Sequence, residues 1–90
     1  MDMTADAWRL MFQNWPDSIP RQGMIKMKND DAIPFVNFLT QSTLLLVDRG
    51  KPDAQGARKV IIPMDQIAAL KMAGKQDLSE FEPMGFVNPF

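Results

Sequence analysis

Apolar residues change their spacing several times along this chain, and each change marks an element. Between positions 4 and 15, Trp8, Met11, Phe12 and Trp15 recur at i, i+3, i+4 and i+7, the spacing of one helical face. Asp2 or Thr4 can cap that helix, Pro16 stops it, and Asp17-Ser18-Ile19-Pro20 leads away as a turn. Two tryptophans and a phenylalanine on one face need a broad apolar surface. The helix is therefore expected to cover an open end of a β structure rather than to form an aromatic ligand cage.

Beyond position 23 the period shortens to two. Ile25 and Met27 alternate with Lys26 and Lys28, which predicts a first strand over 23–28 and a turn at Asn29-Asp30-Asp31. Over 33–40, Ile33, Phe35, Asn37 and Leu39 fall on one face and Val36 and Phe38 on the other. A strand apolar on both sides suits a sharp bend that buries a different side in each half, with Pro34 near its start or at a bulge. Gln41-Ser42 is a short polar break. Thr43-Leu44-Leu45-Leu46-Val47 then predicts a core strand buried on both faces, ending at Asp48-Arg49-Gly50. The segment 50–57, with Pro52-Asp53 and Gly56, has turn chemistry and joins that strand to Val60-Ile61-Ile62 as a long hairpin.

Local signals conflict over 65–73. Asp65 as a cap, good helix formers from Ile67 to Ala73 and Gly74 beyond them favour a short helix. Against this, Ala68, Leu70 and Met72 alternate with Ile67, Ala69 and Lys71, and a small sheet must close; tertiary context overrides propensity in segments this short. A fifth strand is expected. The edge of Val60-Ile61-Ile62 lacks guarding lysines or prolines except Lys59 and Pro63 at its ends. Unpaired strand edges of this kind seek other edges. The tail 75–90 is polar at first, then carries Phe81, Met84, Phe86, Val87 and Phe90. Pro83, Gly85 and Pro89 argue for an extended tail that wraps its own domain, a neighbouring copy or, alternatively, another protein.

Composition narrows the functional classes. Ninety residues make a single domain, of a size that buries only about 60% of its unfolded surface, and such a domain gains from disulfides, metal or association. With no cysteine and no histidine, association is the remaining source. A formal net charge of −1 gives no global field toward nucleic acid or anionic membrane, so such binding would have to be local. No apolar run approaches a membrane span, no signal peptide is evident, and a cytoplasmic protein is expected. The common general bases and thiol nucleophiles are missing, tyrosine included, and the carboxylates are scattered. Asp30-Asp31 fits a turn better than a metal site, and the segment with Lys51 lacks the ending of a phosphate loop. Neither catalysis nor a cofactor, metal or small-molecule substrate is expected. Eight methionines suit adaptable packing or ordinary core filling.

The run from Val60 through Ile62, Pro63-Met64-Asp65 and on to Lys71 resembles the second half of the Sm-like family pattern, a short strand, a tight loop and a closing strand. Residues 25–48 are similar in spacing to that family's first three strands, and the helix stands where its members carry theirs. The pattern is most similar to divergent Sm-like barrels of marine bacteria and their phages. The resemblance implies a mainly β domain over 1–74, with an N-terminal helix and a strongly bent five-stranded antiparallel barrel, SH3-like in kind. It also implies a head-to-tail ring of roughly five to seven copies, since a heterologous contact that closes gives a cyclic oligomer. Val60, Ile61, Ile62, Ala68, Leu70 and Met72 would form the contacts. PRC-type barrels show a similar hydrophobic strand followed by a proline.

RNA binding is the family's usual role. Its loops correspond here to Thr40-Gln41-Ser42 and Pro63-Met64-Asp65, where Asp65 alone matches the family's base-binding residues; Gln41 and Ser42 can hydrogen-bond a base edge or simply make a turn. Neither loop offers an aromatic or arginine platform for stacking. A second route is the cluster Arg49, Lys51, Arg58 and Lys59, which could grip phosphates or merely keep a hairpin solvated. The reading that follows is a homo-oligomeric Sm-like module in protein assembly or interaction, with an RNA-binding ring as the alternative.

Overall fold

The computed structural model describes residues 3–89; Asp2, a candidate cap, and Phe90 of the tail lie outside them. Helix α1 (Thr4–Gln13) ends two residues earlier than its apolar face implies. Asn14 closes it by returning its backbone and side-chain N–H groups to the Leu10 carbonyl. Met3 occupies the cap position without a side-chain bond. Trp15, already outside the helix, is nonetheless buried, and its indole N–H donates to the Ile19 carbonyl at 2.9 Å. That bond satisfies the ring's one donor while its face joins the core.

Six strands follow: β1 (Gly23–Met27), β2 (Ala32–Phe35), β3 (Asn37–Gln41), β4 (Leu44–Asp48), β5 (Lys59–Pro63) and β6 (Ile67–Lys71). They form two antiparallel three-stranded sheets, in the orders β2-β1-β6 and β3-β4-β5. The expected second strand is thus two strands, divided at Val36. The division lets Phe35 and Phe38, which an unbroken strand would send to opposite faces, both point into the core. Val36 N–H donates to the Asp48 carbonyl and holds the corner. A second corner is the single 3₁₀ turn Met64–Gln66, which carries the chain from β5 into β6. At both corners the chain leaves one sheet for the other, and the two sheets do not close into one five-stranded barrel. The local conflict over 65–73 resolves as turn then strand, because β6 pairs with β1 along its length, with a bulge between Lys26 and Met27.

Two further expectations are corrected. Strand β4 is buried on one face only: Leu45 and Val47 are in the core while Leu44 remains 40% exposed. Nor is the tail wholly extended, because Leu78–Met84 forms a 3₁₀ helix that includes Pro83. Glu80 reaches back to accept the Asp77 N–H at 2.9 Å, and Gly85 ends the helix in the left-handed conformation. Proline is compatible with a short helix whose N–H groups are partly unused, and a reaching Glu at the third position is half of a capping box. This helix packs against α1, which also contacts the Met64–Gln66 turn and β3.

The core draws on every layer, with Phe12 from α1, Ile25, Phe35, Phe38, Leu45, Val47, Ile62 and Ile67 from the strands, and Met64 and Met84 from the two 3₁₀ helices. Aromatic rings organise it. Phe12 and Trp15 each meet Phe38 edge-on at 5.1 Å between centroids, and Phe35 meets both Trp15 and Phe38 edge-on. These are the favoured quadrupole geometries. The apolar face of the helix serves packing, as its spacing predicts, and among the described residues no buried side-chain polar atom lacks a partner.

Candidate functional site

The basic cluster sits on the loop between β4 and β5, whose base is the pair Asp48 and Lys59, opposite one another across the strands and 3.6 Å apart. Both loop carboxylates are occupied by the loop itself. Asp48 accepts the Gly50 N–H, and Asp53 accepts those of Gln55 and Ala57. These bonds to the charged form hold each carboxyl below its ordinary range. The Gly50 N–H is the main cause for Asp48, aided by Lys59 and Arg58, and the Ala57 N–H for Asp53, aided by Gln55 and Arg49; partial loss of solvent opposes both. Arg49 donates to the Lys51 carbonyl at 3.3 Å. Lys51 and Arg58 project outward, exposed. The loop is thus a small rigid frame presenting cations.

Gln41, Ser42 and Asp65 lie at the other end of the same hairpin. Ser42 and Thr43 make the two-residue turn from β3 to β4, and the Met64 N–H donates to the Thr43 carbonyl at 2.9 Å, drawing the β5–β6 corner against that turn. The two loops implied as base-binding therefore meet, with Asp65 accepting from its neighbour Gln66. Five strand residues separate this end from the basic loop, about 16 Å at 3.3 Å per residue. The seven candidate nucleic-acid contacts consequently form two groups rather than one.

The proposed contact strands stand at sheet edges, β5 at the end of one sheet and β6 at the end of the other. Ile61 points out and is 65% exposed, Ala68 is exposed, and Val60, Leu70 and Met72 are half-buried against the core. Ile62 lies inside the core, so any contact it makes with another chain runs through its backbone.

Sequence reasoning missed two features. The first is Arg21, whose guanidinium lies 4.7 Å from the centre of the Phe38 ring and donates to the Phe38 carbonyl at 3.1 Å, closing the side of the aromatic core. No local pattern marks it, since it stands in a loop seventeen residues from its partner. The second is an apolar row on the outside of the β3-β4-β5 sheet, where Leu39, Leu46 and Ile61 are directly opposite one another. The signal for it is the unbroken run of leucines in β4, whose pattern equally predicts burial on both sides. An open groove of about 580 Å³ between the Ile19-Pro20 turn, Met24, Phe35 and Met72 carries one ionisable group at its wall, Lys71, and no constellation for chemistry. Among the described residues, no helix is long and apolar enough to cross a membrane, and no group of acidic, histidine or cysteine side chains could hold a metal ion. Compared with protein-family models, with curated proteins and with solved structures, the chain has no match in any of the three.

Proposed function

We propose that this chain is a non-catalytic, Sm-like homo-oligomeric module for protein assembly or interaction, in which β5 of one copy pairs with β6 of the next until a ring closes. The observation that carries the reading is the placement of those strands. Each is the outermost strand of its sheet, and the two are joined by a single 3₁₀ turn, so one chain offers both halves of a head-to-tail contact. A small antiparallel meander bent at Val36 and again at Met64–Gln66 also supports a strongly bent SH3-like strand order, in two unclosed sheets with α1 packed on them. β5 carries no bulge or inward charge at its centre, whereas β6 is bulged at Ala68, and an exposed edge of the first kind is a self-association site.

Light scattering on protein eluting from a sizing column tests this reading. A mass of roughly five to seven chains is expected of a closed ring. A monomer at high concentration would remove the edge-pairing argument.

A second reading, an RNA-binding ring, rests on the basic loop. Asp48 and Asp53 are engaged by backbone N–H groups, which leaves Lys51 and Arg58 free of any ion pair among the described residues. Ring closure would repeat that loop once per copy and raise the local field at its rim.

A further inference from the structure

The two sheets have four outer strands, β2 and β6 in one and β3 and β5 in the other, and these edges differ in what guards them. β2 carries Pro34, which has no N–H to offer an added strand, and β6 bulges at Ala68. β3 is closed differently. The Phe38 N–H donates to Oδ1 of Asn37 at 2.8 Å, and the Phe38 carbonyl accepts from the Arg21 guanidinium at 3.1 Å. Arg21 stands in the loop ahead of β1, and its guanidinium also lies 4.7 Å from the centre of the Phe38 ring. It approaches from outside the sheet, since β4 occupies the other side of β3. β5 has no comparable device at Val60, Ile61 or Ile62.

We infer that Arg21, together with Asn37, closes the β3 edge against strand addition and so restricts pairing to the β5 and β6 edges. The strand it excludes is β5 of another copy, and in this the role rests on the edge-pairing reading above. Backbone N–H and C=O groups are what one strand offers another, and at Phe38 both are engaged by side chains of the same chain. An added strand would run about 4.8 Å from β3, through the space in which the guanidinium stands. Packing on the Phe38 ring needs only the aliphatic stem of an arginine; the fork adds the bond to the edge carbonyl. Arg21 is exposed and in no ion pair among the described residues, so its charge faces whatever approaches that edge. A cation on an edge is itself a barrier to pairing. Phe12 and Gln13 of α1 border the remainder, where a recess of about 360 Å³ lies between the helix, Arg21 and Thr40.

The need for a guard follows from the topology. β3 and β5 are opposite edges of one sheet, so β5 of one copy added to β3 of the next would continue that sheet from copy to copy. A head-to-tail contact of this kind gives open fibres unless its rotation closes. With β3 closed, the unguarded β5 is left with β6 of a neighbour.

The chain contains no cysteine, so introduced thiols report single positions. Arg21→Met keeps an apolar stem and loses the donor and the charge, and Asn37→Ala frees the Phe38 N–H. By light scattering, the double variant should exceed the wild-type mass at least about twofold, increasingly with concentration and with unchanged far-UV circular dichroism. In that background, chains carrying Leu39→Cys and chains carrying Ile61→Cys should be joined by a short bis-maleimide, because strand addition brings such side chains to about 5–8 Å. With Arg21 and Asn37 in place they should not be joined. Arg21→Lys, which keeps a cation at the edge, should retain the wild-type mass. A purely structural Arg21 predicts instead a lower melting temperature for both Arg21→Met and Arg21→Lys with no gain in mass. A folded double variant that keeps the wild-type mass, or that grows without the Leu39–Ile61 crosslink, overturns the guarding role. Should Arg21→Met fail to fold, Asn37→Ala alone decides by the same crosslink. A monomeric wild type whose double variant grows through that crosslink keeps the guard and rejects the ring. A wild-type ring unaltered in the double variant keeps the ring and rejects the guard.

Discussion

Ser42 turns β3 into β4 with φ of 52°, in the left-handed region that side-chain-bearing residues rarely adopt. A β-branched residue there is strained by contact between its branched carbon and the backbone, at about 1–2 kcal/mol. Ser42→Val should therefore lower stability by about that much, whereas Ser42→Gly should change it by no more than about 0.5 kcal/mol; urea unfolding of both variants checks the contrast. The Asp48 and Asp53 carboxyls make a separate prediction. Their folded-state affinities for protons are depressed by bonds from Gly50 and Ala57, so their contribution is present above the unfolded carboxylate value of about 3.9 and is lost as pH falls through the lower folded value. Asp53→Asn should flatten the acid limb of a melting-temperature profile below about pH 4. It should also lower stability at neutral pH, where the charged acceptor matters; an unchanged acid limb would remove Asp53 from that role. The loop's turn chemistry was legible from Pro52-Asp53 and Gly56. The strain at Ser42 was not, because Gln41-Ser42 is equally consistent with an unstrained turn until the register of Gln41 opposite Leu44 is known.

At the scale of elements, strand β1 depends on a close approach. A methyl group at Gly23 would stand 2.7 Å from the Lys71 carbonyl oxygen, a backbone atom that cannot swing aside. Gly23→Ala should push β1 and β6 apart at that end and lower stability by about 1–3 kcal/mol, with hydrogen exchange accelerating first at the amides of β1 and β6. Uniform acceleration through both sheets would contradict a local clash. The strands themselves were largely readable, since Ile25 and Met27, and Ile67 against Ala68, keep the two-residue period of a half-buried sheet. The burial of β4 and the tail helix differ from expectation for separate reasons. A sequence gives the apolarity of a face but not what covers it, so the leucines of β4 suggested a two-sided burial that a single chain does not supply. In the tail, Pro83 and Gly85 have breaker chemistry, while Asp77 and Glu80 are spaced to start a short helix before them.

For the whole molecule, the proposed RNA-binding reading turns on which end of the β4–β5 hairpin would do the work. The Sm-like reading, as proposed, directs attention to Gln41, Ser42 and Asp65, whereas electrostatics favours the opposite loop with Arg49, Lys51, Arg58 and Lys59. The two make different demands on an RNA-binding experiment. Phosphate contacts release counterions, so affinity falls with salt by about 0.7 in the log–log slope per contact on a single strand, while base-edge contacts alter preference among sequences and leave that slope unchanged. Lys59 is a poor choice for the test, because its partner Asp48 anchors the loop base. Lys51 and Arg58 are exposed and outside every ion pair among the described residues. If the loop grips phosphates, Lys51→Glu with Arg58→Glu should weaken binding of a labelled mixed-sequence single-stranded RNA and reduce the salt slope by about 1.4 for each loop engaged. Gln41→Ala should leave the slope intact and change only the ranking of base sequences. Wild-type protein that does not bind the strand, or a double variant that binds with the same slope, would leave the cations as solubilising groups. The molecule would then be understood through its strand edges.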